Sequence, residues 1–229
     1  STQAWRDFRS VDPENLPRSR ASGTIRDLVM AYTDFSLETV DRVLGVTARP
    51  AELFPGLASL SVPTWLHDVL AKGMELSLLS EKARSEFIVV PILLASRELS
   101  HNAVAIYSGQ RLDVNPAQGL TGECDFILAA TEPVPLLRAP LVTIVEATRN
   151  DIEGGLGQCV AQMVGARLFN EQTGKAAPQI FGCVTTGEAW QFLRLEPAAV
   201  SIDRPRYYID NIGMILAALQ RTIGAPRPH

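Results

Sequence analysis

Lysine is nearly missing from this sequence: Lys72, Lys82 and Lys175 are three of 21 basic residues, the rest being arginine. Cysteine and histidine number three each. Cys124, Cys159 and Cys183 are widely spaced, form no CxxC pair, and have none of His67, His101 or His229 beside them. That excludes the ligand spacing of a zinc module and the paired framework of a disulfide-stapled domain. All three cysteines sit in apolar stretches and read as small buried hydrophobes. Long hydrophobic runs are also lacking. The longest, Phe87 to Ala95, is broken by Pro91, and a membrane-spanning helix needs about 20 apolar residues. No charged-then-apolar leader opens the chain, so the expectation is a cytoplasmic protein with no membrane segment. An excess of positive charge is absent too. Acidic residues number 25, the net charge is −4 and the pI is near 5.4. Coating of nucleic acid through bulk charge is thereby excluded, whereas contact through a local patch or a bound cation is not.

What the chain does have is apolar material. Of its 229 residues, 46% are hydrophobic and 20% charged, enough to offset the entropy of ordering a core. The texture changes near residue 80. Before it, frequent proline and glycine separate short helical signals. One runs from Leu37 to Leu44 after the cap candidate Ser36 and stops at Gly45; another runs from Pro63 to Lys72 and stops at Gly73. Residues 1–79 therefore read as an N-terminal helical extension, with about the first thirty, polar and arginine-rich, either partly mobile or wrapped on the surface. Residues 80–229 read as an α/β core. Its elements are a helix from Ser80 to Leu99 kinked at Pro91, and strands at Asn102–Ser108, Cys124–Ala130 and Leu141–Ala147. A helix at Asp151–Asn170, a hairpin of Ile180–Thr185 with Ala189–Leu195, and a closing helix at Tyr208–Ile223 follow. Leu141–Ala147 is β-branched and almost uniformly apolar, the pattern of a strand covered on both faces. Strands with helices on either side in sequence imply a mixed sheet sandwiched between helical layers.

Two carboxylates stand out against this pattern. Asp125 opens one apolar strand and Glu146 sits near the end of another. Charge placed in such a run is costly unless it meets a partner or a cation. Carboxylates at adjacent strand ends suit Mg²⁺, which takes one or two of them together with waters and substrate phosphates. Spacing alone leaves open that each is an ordinary strand-end residue bonded to a turn amide or an arginine.

The stretches Gly122-Glu123-Cys124-Asp125-Phe126, Val145-Glu146-Ala147-Thr148 and Gly157-Gln158-Cys159-Val160-Ala161-Gln162-Met163 resemble the PD-(D/E)XK nuclease superfamily. The segment from Gly182 to Phe192 resembles the region after that helix in bacterial members. The resemblance spans about residues 81 to 220. It implies a three-layer restriction-endonuclease-like fold and an Mg²⁺- or Mn²⁺-dependent nuclease acting on nucleic acid, DNA ahead of RNA. By position, Asp125 and Glu146 match the metal-binding pair. Glu81 matches the supporting helical glutamate, with Glu86 as second choice, and Gln158 matches the helix residue that points at the site. The superfamily lysine, which helps to activate or orient water, is replaced by Thr148. A hydroxyl can hydrogen-bond to a water but brings no charge to offset that building on phosphate. Two functions stay open at this point: a metal-dependent nuclease working without the lysine, or a pseudo-nuclease serving as a nucleic-acid- or protein-binding module.

Neighbouring residues have plainer readings. Lys82 can pair with Glu86 one helical turn on. Arg149 follows Thr148 and points the other way on a strand. Asp151 suits a helix cap, Gln162 a solvated helix position, and Trp190 and Phe192 the core. Gly154, Gly155 and Gly157 lack the Gly-Lys-Ser/Thr of a phosphate loop. The apolar helix segment Ile212–Leu219 either seats a second copy in a homodimer or packs on its own sheet.

Overall fold

The computed structural model describes residues 30–76 and 80–224. The expectation of a partly mobile or surface-wrapped N-terminal stretch falls on residues 1–29, outside these ranges. Ser36 caps α1 (Leu37–Leu44), its Oγ accepting from the Thr39 amide at 3.2 Å, and Gly45 ends the helix in the left-handed region at φ 65°. The chain then forms β1 (Thr47–Ala51) and α2 (Thr64–Met74). Next come α3 (Glu81–Arg84), one π-helical turn (Ser85–Val89) and α4 (Val90–Leu99), end to end. Pro91 has no N–H for the turn before it, and the irregularity is taken up by that π turn ahead of the proline.

Three strands follow in an antiparallel meander, β2 (Ala105–Arg111), β3 (Glu123–Ala129) and β4 (Leu141–Ala147). A long helix, α5 (Ile152–Gln172), leads into β5 (Ile180–Thr185), which pairs parallel to β4. Then come β6 (Ala189–Leu195), β7 (Ala199–Asp203), the short β8 (Tyr207–Tyr208) and α6 (Ile212–Ile223). The mixed sheet has the order β1-β7-β6-β5-β4-β3-β2, with β8 also on β6. Helices cover both faces. Ile127, Ile144, Val160, Met163, Val184 and Leu193 form the core between the sheet and α5. Ile92, Val145, Trp190, Phe192, Leu216 and Leu219 form the core on the other face. The architecture is a three-layer α/β sandwich.

One expectation is corrected. The part before residue 80 is not a helical extension set apart from the core. Thr47–Ala51 is an edge strand, paired in parallel with β7, and Leu53, Phe54, Leu66 and Leu70 share a core with Trp190 and Phe192. Pro50 and Arg49 hide that strand in the sequence, and an edge is where a proline is tolerated. Of the two readings of the Ile212–Leu219 segment, packing within its own chain holds: Ile215, Leu216, Ala218 and Leu219 are buried.

Glycines in α5 set how closely its neighbours approach. A Cβ on Gly157 would fall on the backbone of Phe35 and Ser36, at the start of α1, and one on Gly165 would meet the Tyr32 hydroxyl. Tyr32 is fully buried, and its hydroxyl donates to the Leu112 carbonyl at 2.9 Å. Backbone cannot step aside as a flexible side chain does. Gly157→Ala is therefore expected to destabilise the fold by about 1–3 kcal/mol, although alanine gains close to 1 kcal/mol in helix propensity. Thermal unfolding should show Tm lowered by about 2–4 °C per kcal/mol. A raised Tm would contradict this packing.

Candidate metal centre

The ladder between β3 and β4 ends at the pair Phe126↔Val145. One step further in the same register, Asp125 faces Glu146 across the two strands. Like charges directly opposite each other are unfavourable, and the local structure answers with donors. Asp125 Oδ2 accepts from the Ala147 amide at 2.8 Å. Glu146 Oε1 accepts from Gln158 Nε2 at 2.5 Å, and Oε2 accepts from Gln162 Nε2 at 2.9 Å. The two glutamines lie one turn apart on α5, so both point at the strand beneath. On β4, Ile144 and Glu146 face α5 while Val145 and Ala147 face the other layer, as strand alternation requires.

Glu146 is only 6% exposed. Burial first, then the Asp125 charge, pushes its carboxyl well above the usual range, against the pull of its glutamine donors. Asp125 is half-buried and also shifted upward, by burial first, opposed by the Ala147 amide and helped by the Glu81 and Glu123 charges. Hydrogen bonds built for ionised carboxylates thus coexist with an environment that resists their ionisation. A cation bound here would reconcile the two.

A cleft of about 410 Å³ opens over this pair. All five residues singled out by sequence line it: Asp125, Glu146, Thr148, Gln158 and Glu81. Glu81, in the first turn of α3 after the Ser80 cap, is exposed. Glu123 and Asp151 add two further carboxylates to the wall, and among the described residues no lysine or arginine lines it. Thr148, in the place of the lysine, packs its methyl group against α5 so tightly that a Cβ on Gly155 would lie 2.7 Å from it. Its Oγ1 is buried without a partner among the described residues. Asp151 caps α5, accepting from the Gly154 amide at 2.9 Å.

Among the described residues no lysine or arginine lines the cleft beside Thr148. Lys82 pairs with Glu86 at 3.8 Å. Arg149 is exposed, lies beyond the end of β4 and does not line the cleft. Trp190 and Phe192 are fully buried, and the three cysteines are free and buried. Gln162 departs from its reading as a solvated residue: it is fully buried and bonded to Glu146. Its spacing from Gln158, on a helix that is apolar around much of its girth, was the signal available.

Among the described residues no group of three His, Cys, Asp or Glu side chains is placed to enclose a metal. The donor set is instead two hard carboxylates plus an unpartnered hydroxyl. This fits Mg²⁺ or Mn²⁺ that keeps waters in its shell and does not fit a fully caged ion. No protein-family model matches the chain, and no curated protein matches it in sequence.

The upward shift of Glu146 has a measurable sign. Between the ordinary glutamate value of 4.5 and the raised folded value, the folded state holds a proton that the unfolded state has lost. In chelator, stability should therefore fall as pH rises through that window, by up to about 1.4 kcal/mol per pH unit for one proton. Glu146→Gln should flatten this slope, leaving the smaller part due to Asp125, and should raise Tm at pH 8. Denaturant unfolding from pH 5 to 8 checks this; an unchanged slope in the variant would contradict it.

Proposed function

We propose that this protein is a metal-dependent nuclease with a restriction-endonuclease-like core, hydrolysing phosphodiester bonds in DNA ahead of RNA. One observation carries the reading: Asp125 and Glu146 face each other from adjacent strands in a cleft that also holds Gln158 and the first turn of α5. The order helix, three-strand meander, helix, parallel strand supports the fold assignment. Asp125 and Glu146 would hold Mg²⁺ or Mn²⁺, with Glu81 supporting from the rim. When bound, the ion supplies positive charge at the phosphate and lowers the pKa of a coordinated water.

The protein's own groups do the rest. Gln158 fixes the Glu146 carboxylate and borders the space a substrate would occupy. Thr148 offers an unpartnered hydroxyl able to donate to or accept from a water. The N-terminus of α5 contributes the partial positive charge of its backbone amides. Buried free thiols accord with work in the reducing cytoplasm.

A second reading is a pseudo-nuclease that binds nucleic acid or a protein without cutting, favoured by the uncharged Thr148 at the motif's lysine position. With five carboxylates and, among the described residues, no lysine or arginine lining the cleft, a polyanion meets repulsion until a cation is present. Cleavage assays on plasmid, linear duplex, single-stranded DNA and RNA in Mg²⁺ and Mn²⁺ separate the two. The nuclease reading expects metal-dependent cutting by wild type, loss of about 100-fold or more in Glu146→Ala, and faster cutting by Thr148→Lys. Silence from wild type with cutting by Thr148→Lys would establish the pseudo-nuclease. Silence from all three would overturn the nuclease reading.

A further inference from the structure

We infer that Gln162 is a positioning residue for the carboxylate pair, tying β3 and β4 together behind Asp125 and Glu146. The inference rests on the metal-centre reading and adds a residue to it that touches neither cleft nor substrate. Gln162 Nε2 lies 2.9 Å from Glu146 Oε2 and 3.5 Å from the backbone oxygen of Glu123. An amide nitrogen has two hydrogens, and here one goes to each strand. Glu123 is two residues before Asp125 on β3, so the bond to its backbone anchors the segment that carries Asp125. From the other direction Asp125 accepts from the Ala147 amide, one residue past Glu146. The strand pair is thus cross-tied just where its regular ladder ends at Phe126↔Val145.

The remaining polar atom of Gln162 shows what the residue is for. Its Oε1 is buried with no partner among the described residues. A carbonyl oxygen left without a donor in the core is unfavourable, and a side chain that merely filled space would carry none. Nearby positions of α5, Cys159, Met163 and Val164, are buried and apolar or nearly so. The amide therefore acts through its N–H groups. Gln158 differs, because it is half-exposed and borders the cleft, whereas Gln162 is fully buried behind Glu146. Groups that orient metal ligands from behind change metal affinity by about 10–100-fold when removed.

Calorimetric titration of the whole chain with Mn²⁺ tests this in wild type, Gln162→Met, Gln162→Asn and Val164→Ala. The methionine keeps the length of the side chain and lacks the donors; the asparagine keeps the amide and lacks the reach. Both are expected to retain wild-type far-UV circular dichroism and to weaken Mn²⁺ binding about 10–100-fold. Val164→Ala, on the same helix and facing the same core, should lower Tm and leave Mn²⁺ affinity unchanged, a result that general loosening of α5 would not give. If Gln162→Met fails to fold, Gln162→Asn decides alone. Unchanged affinity in the glutamine variants, or an equal loss in Val164→Ala, would overturn the inference while leaving the metal centre standing. A wild type that takes up no Mn²⁺ would overturn the metal centre and the inference with it.

Discussion

The repulsion between Asp125 and Glu146 is the constraint around which the rest of this structure is arranged. Two carboxylates share one end of a buried strand pair, and Glu146 is almost wholly removed from water. Left unpartnered, such a pair would be resolved by protonation or by unfolding of the strand ends. Here α5 supplies two amide donors to Glu146, and the Ala147 backbone supplies one to Asp125. For α5 to bring Gln158 and Gln162 over β4, it must lie close to the sheet and to α1. Glycine at 155 and 157 permits that approach, because Thr148, Val184 and the backbone of Phe35 and Ser36 occupy the space a Cβ would need. Packing and chemistry are one problem in this helix.

The same constraint explains the electrostatic character of the cleft. Glu81, Glu123 and Asp151 surround a pair that is already hard to ionise. Among the described residues no arginine or lysine relieves it from the cleft wall, although arginine is plentiful elsewhere in the chain. Arg49 and Arg194 are engaged with Glu196, and Arg206 with Glu153 and Gln191. Arg84 lies against the β5–β6 turn through the Thr186 carbonyl and Glu188. These four arginines thus fasten edges and turns.

Local signals made the centre of the fold legible in the sequence. Ser36 and Gly45 bound α1 as cap and stop. The β-branched run at 141–147 is β4, and the hairpin strands 180–185 and 189–195 fall where apolar runs flank a turn containing Gly187. Elements whose stability comes from distant partners were not legible. β1, with the sequence Thr-Ala-Arg-Pro-Ala, has no alternation of its own and exists because β7 pairs with it. β7 is short and half polar and is a strand through its neighbours. At the site, Asp125 and Glu146 could be singled out because charge interrupts apolar strands. For Gln162 only its spacing from Gln158 was legible, since a glutamine on a helix reads as solvated until the carboxylate above it is known.

The central claim is that Asp125 and Glu146 form a divalent-cation site, and the most direct test is crystallographic. Crystals grown or soaked with Mn²⁺ and measured near the manganese absorption edge should show an anomalous peak bounded by the carboxylates of Asp125 and Glu146. Glu146→Ala should lose that peak under the same conditions. An empty cleft at saturating Mn²⁺, or a peak located elsewhere on the protein, would contradict the account.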